Sequence, residues 1–230
     1  MAEPATMNLR KGLPGLSKAW GASVMALAIL SGMVLCTPTQ EPIVHAAGDA
    51  KMAAGAPAYT ADGKMLFPYK YREWIYVTTG MDMSYTQASN MAGSAGMSMF
   101  DNVFVNPEAY RSYVKTGTWP DKTVMLIEVR GAQSRGSINK SGHFQGADLM
   151  GLEVHVKDES RTPGSWAFYE FDGESPSTIV PRTATCYSCH EQHGAVDTTF
   201  VQFYPTLLPV AKAKGTLSAA YVKDEGEKKP

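Results

Sequence analysis

The chain has 230 residues, 44% of them hydrophobic, and a formal net charge of -1. That is enough apolar material for one globular domain with a real core, length being only a soft guide to domain count. The even charge balance and the lack of a basic stripe give no electrostatic reason to expect a nucleic-acid partner.

Residues 1–46 read as a secretory signal peptide, because Arg10, Lys11 and Lys18 precede an apolar run over 19–35 and small residues follow at Ala46, Ala47 and Gly48. If retained, a run of about 17 residues would lie at the lower edge of a membrane span, so anchoring is the competing reading. Lipidation of Cys36 is disfavoured by Leu35, which stands where a small residue is expected. Cleavage near Ala46 would leave Cys186 and Cys189 as the only cysteines of a periplasmic or otherwise exported chain.

Residues 47–64 are rich in Ala and Gly and resemble a linker, and the domain is expected over 65–216. Aromatic and β-branched residues predict a strand over 73–79. The stretch 80–99 carries Met81, Met83, Met91, Met97 and Met99, any of which could offer a thioether to iron or simply pack where it fits. A short strand over 102–105 leads to a helix capped by Asn106, opened by Pro107 and ended by Gly117. Strands are predicted over 123–129, 149–157 and 165–171, with a Gly/Ser-rich hairpin connection over 131–146 that holds Lys140 and His143 near its tip. Along 149–157, Leu152, Val154 and Val156 point one way and Gly151, Glu153 and His155 the other, a polar face of the kind usually left wet. Residues 206–214 read as a last helical piece, and 217–230 as a charged, disordered tail. Short strands joined by hairpins, with a few helices inserted and at the end, make a single α+β domain with an antiparallel sheet.

The chemistry lies in Cys186-Tyr187-Ser188-Cys189-His190, a C-x-x-C-H run predicted to stand on a short helix. Two thiols at this spacing can add across the two vinyl groups of a haem while the adjacent imidazole reaches the iron, with Tyr187 and Ser188 as fillers. Three other uses compete. A thioredoxin-like pair wants a βαβ setting and gives His190 no task. A zinc site from Cys186, Cys189, His190 and His193 would crowd adjacent ligands around a tetrahedron. A disulfide between residues this close closes almost no loop. The expected cofactor is therefore one covalent haem c, with His190 as the metal ligand and His143, His155 and His193 in surface or supporting places.

Tyr71-Arg72-Glu73-Trp74, residues 105–110, Lys115-Thr116-Gly117, Gly151-Leu152-Glu153, Val156-Lys157-Asp158, residues 166–169, the haem motif and Phe203-Tyr204-Pro205 together make the chain resemble the cytochrome P-460 family, whose relatives include cytochrome c′-beta. The resemblance spans about 67–215. It implies a periplasmic homodimer with an antiparallel sheet packed over a five-coordinate c-type haem held by Cys186, Cys189 and His190. It puts Glu153 where the family's enzymes keep a distal carboxylate that moves protons of hydroxylamine. Ile127 falls where those enzymes carry the lysine that cross-links to the macrocycle, and Asp101 where some carry an arginine. Lys122 is the nearest replacement lysine, on the wrong face of its strand, and Lys140 lies in a loop.

The resemblance thus implies a haem oxidoreductase of hydroxylamine or nitric oxide without the cross-link, with Glu153 as its catalytic group and a soluble cytochrome as electron partner. One alternative is a nitric oxide or carbon monoxide binding protein with an apolar distal wall of Ile127 and Phe100 or Phe104. The other is an electron carrier whose sixth ligand is Met97 or Met99.

Overall fold

The computed structural model describes residues 55–83 and 98–227; the expected signal peptide over 1–46, Met91 and Met97 lie outside them. The described residues belong to one compact unit. Five strands, β1 (Ile75–Met81), β2 (Met99–Val105), β3 (Thr123–Gln133), β4 (Phe144–Lys157) and β5 (Trp166–Phe171), form an antiparallel sheet in chain order. Helices follow as α1 (Pro107–Thr116), α2 (Thr185–His193), α3 (Leu208–Lys214) and α4 (Ala219–Glu227).

Alternation along the strands divides the core in two. One sheet face buries Val124, Leu126, Leu152, Val154, Val156 and Tyr169 under Met65, Phe67, Tyr71 and Trp74 from the segment before β1. The other buries Val77, Val103, Val105, Met125 and Trp166 under the helices and the loop after α2. This second face also carries Glu153 and His155. His155 is buried rather than wet, because α2 and its loop cover it.

Two predicted boundaries move. The expected linker is ordered from Gly55 on, with Tyr59 bridged to Met65 and packed against the first core layer. The expected disordered tail over 217–230 instead contains α4, because Leu217 and Tyr221 reach the second core layer. Ser218 fixes that helix to the rest: its backbone N–H donates to the Ala195 carbonyl at 2.8 Å and its hydroxyl to the Gly194 carbonyl at 2.6 Å.

The α1 boundaries are those expected, but Asn106 does not cap the helix with its side chain. Its Nδ2 donates to the Lys122 carbonyl and its Oδ1 accepts from the Val124 N–H at 2.9 Å, tying the helix entry to the start of β3. Gly117 ends α1 at φ 78°, a left-handed conformation that costs glycine little, and its N–H closes on the Tyr113 carbonyl.

Candidate haem site

The C-x-x-C-H run forms the body of α2, with Cys186 and Cys189 one turn apart. Both thiols are free and half-buried. Burial, and then the nearby Cys186 sulfur, push the Cys189 thiol above its ordinary value, the reverse of the activation a disulfide-exchange pair needs. Among the described residues no three His, Cys, Asp or Glu side chains converge on a common metal point. His193 turns instead to Asp224 of α4, 3.6 Å away.

His190 is the prepared group. Its Nδ1 lies 2.7 Å from the Thr198 carbonyl, an atom that can only accept, so Nδ1 carries the proton and Nε2 keeps a free lone pair. Burial lowers its pKa, partly offset by that hydrogen bond, so the ring is neutral at physiological pH. Phe200 stacks on one side at 4.1 Å between ring centres; His155 meets the ring edge-on at 4.5 Å. Burial, and then His190, hold His155 well below its ordinary pKa, so two neutral imidazoles sit together.

The loop carrying Thr198 is pinned from several elements. Trp119 donates its indole N–H to Thr199 at 2.8 Å, and Gln202 bonds both the Ala195 N–H and the His193 carbonyl. At Gly194 a Cβ would lie 2.7 Å from the His190 carbonyl oxygen and 2.8 Å from the Thr198 backbone, so only glycine lets the chain turn this closely behind the imidazole. Tyr187 is no filler: it is buried, its hydroxyl donates to the Val180 carbonyl at 2.8 Å and accepts from the Phe168 N–H, and so it bolts α2 to β5. The C-x-x-C-H pattern leaves its second position open, so only the aromatic identity of Tyr187 hinted at this.

Next to Phe200 lies a cavity of about 180 Å³. Ile127 and Glu153, paired across β3 and β4, both face it, as do Asp101 and Val103 of β2 and Phe203 and Tyr204. The two residues that the resemblance singled out thus share one cavity wall. The expected aromatic wall is different: Phe104 and Phe100 point to the opposite sheet face, where Phe104 packs on Tyr71 and Tyr76, and the cavity takes its aromatics from 200–204 instead. The reason is parity, since even-numbered residues of β2 turn away from Val103. Met83, not Met99, is the described methionine at the cavity.

Glu153 stays open to solvent at the cavity mouth, yet the surrounding protein, and then the carboxylates of Glu170 and Asp101, push its pKa up. Neither candidate lysine reaches the cavity. Lys122 is held by Asp158 and by Ser160 at 2.9 Å, and Lys140 is exposed at the β3–β4 hairpin tip.

Two unpaired thiols beside an imidazole with one free nitrogen fit a haem attached through both sulfurs, and an antiparallel sheet supplies the opposing wall: the fold and site are those of a sheet-based haem cytochrome. The family model described as Cytochrome P460 matches residues 68–201, more than half of the chain. The chain belongs to this family, and haem is its cofactor. A search of curated proteins finds no match.

Proposed function

We propose that this is a mono-haem c-type cytochrome, its haem covalently held by Cys186 and Cys189 and ligated by His190, that acts as an oxidoreductase of small nitrogen compounds, hydroxylamine and nitric oxide. The observation that carries the reading is the pairing of Glu153 with Ile127 on the wall of the cavity that adjoins the ring stacked on His190. Held by Cys186, Cys189 and His190, the haem would supply one-electron chemistry at its iron. Glu153, when ionised, is placed to accept a proton from a bound N–H or O–H group; a carboxylate with a raised pKa is a better base for this than an ordinary one. Ile127, Val103 and the aromatic residues make much of the rest of that wall apolar. The Nδ1 bond to Thr198 orients His190 and raises its basicity as a ligand.

The ion pair of Lys122 and the exposure of Lys140 support a haem without a lysine cross-link. Export from the cytoplasm, a homodimer and a soluble cytochrome as electron acceptor belong to the same reading. The apolar residue at 127 also favours a second one, a protein that captures nitric oxide or carbon monoxide without turnover. Hydroxylamine oxidation by the purified holoprotein separates the two: turnover that Glu153→Gln abolishes while ferrous nitric oxide binding survives supports the enzyme, and ligand binding with no turnover supports the capture protein. A low-spin ferric spectrum would contradict both and point to an electron carrier with a methionine as sixth ligand.

A further inference from the structure

The cavity has a second carboxylate, Asp101, that the proposed reaction does not by itself require. Of the described residues lining it, Asp101 and Glu153 are carboxylates and none is a cation. They rise from β2 and β4, on either side of β3, strands whose backbones stand roughly 10 Å apart. Among the described residues neither carboxylate has a salt bridge or a side-chain hydrogen bond. The other acids facing them, Asp82 toward Asp101 and Glu170 toward Glu153, add charge of the same sign. Any ligand entering the cavity therefore meets uncompensated negative potential, strengthened by the apolar walls of Ile127 and Phe200.

We infer that Asp101 sets the ligand specificity of this site: together with Glu153 it makes the cavity anionic, so that neutral or cationic nitrogen ligands, hydroxylamine and its protonated form, enter while inorganic anions such as azide and nitrite are turned away. This rests on the proposed haem site and narrows its substrates by charge. Replacing Asp101 by the isosteric asparagine removes the charge and keeps the shape.

The test is azide titration of the ferric holoprotein at neutral pH, followed by the Soret shift. Asp101→Asn should raise azide affinity roughly tenfold, the size of one charge acting at this range in a partly screened interior. Nitric oxide binding to the ferrous form, which carries no charge, should stay unchanged. Asp101→Ser provides a second charge-free variant. In the native protein, non-coordinating salt should raise azide affinity by screening the repulsion. Unchanged azide affinity in the variants, with no salt effect in the native protein, would overturn the charge selection and leave the haem site standing. An equal rise for azide and nitric oxide would overturn it too, because bulk rather than charge would then be responsible. A preparation with no Soret band defeats the haem reading itself, and is visible before any titration begins.

Discussion

Glu153 and His190 do opposite electrostatic work. Burial keeps His190 neutral with a lone pair available, whereas protein mass and the neighbouring acids make Glu153 harder to ionise than an ordinary glutamate. A general base works in its ionised form, so hydroxylamine oxidation should fall as pH drops through a pKa above 4.5, the usual value for this side chain. Glu153→Gln should lower the rate about 100-fold and flatten that acid limb, with the ferric spectrum unchanged; steady-state rates across pH check both. Gly194 makes a different prediction. An added methyl collides with the His190 carbonyl and the Thr198 backbone, so Gly194→Ala should shift the ferric spectrum, since the bond that orients the imidazole would be displaced.

At the level of elements, β3 serves both sheet faces. Its odd-numbered residues give Ile127 to the cavity, and its even-numbered ones give Glu128 to the opposite core layer. There Glu128 is almost fully buried, accepting from the Tyr71 hydroxyl at 2.5 Å and paired with Arg130 and, at 2.7 Å, Arg72. Burial alone would raise its pKa, but the hydrogen bonds from Arg130 and Tyr71 and the two guanidinium charges outweigh it and hold the carboxylate below its ordinary value. A depressed carboxylate stabilises the fold fully above the ordinary value of 4.5, and that contribution is lost as pH falls from there through the lower folded value. Glu128→Gln should cost roughly 2 kcal/mol at neutral pH by leaving the half-buried Arg130 without its charge partner. Thermal melts from neutral to acid pH should show that loss and a shallower acid slope. α4 bears on the site from outside: Tyr221→Ala should cost about 3 kcal/mol, as large core truncations do, measured by denaturant unfolding.

Across the whole molecule, what could be foreseen followed from short-range rules. The five strands, α1 and its Gly117 stop all rest on periodicity and end signals, and a C-x-x-C-H run carries its chemistry in five residues. The expectation that Glu153 and Ile127 matter came from the resemblance alone; their sharing one cavity wall is a matter of β3–β4 register. Features that depend on distant partners were out of reach. α4 looks like a charged tail until Tyr221 meets a core assembled from residues a hundred positions earlier. Asn106 has the composition of a helix cap, but β3 claims its side chain. His155 alternates with the polar face of β4, and only the packing of α2 buries it against His190. Phe100 and Phe104 were expected beside Ile127 in an apolar wall, and parity sent them to the other side. The site is therefore a product of the sheet's second face and the pinned loop after α2, each legible alone but not in combination. The most direct test of that combination is the mass of the unfolded polypeptide, purified from a host that matures c-type cytochromes, taken with the ferric spectrum of the folded protein. One haem retained through denaturation, with a high-spin ferric spectrum, is the predicted result; a haem that washes out on unfolding, or a colourless chain, would contradict it.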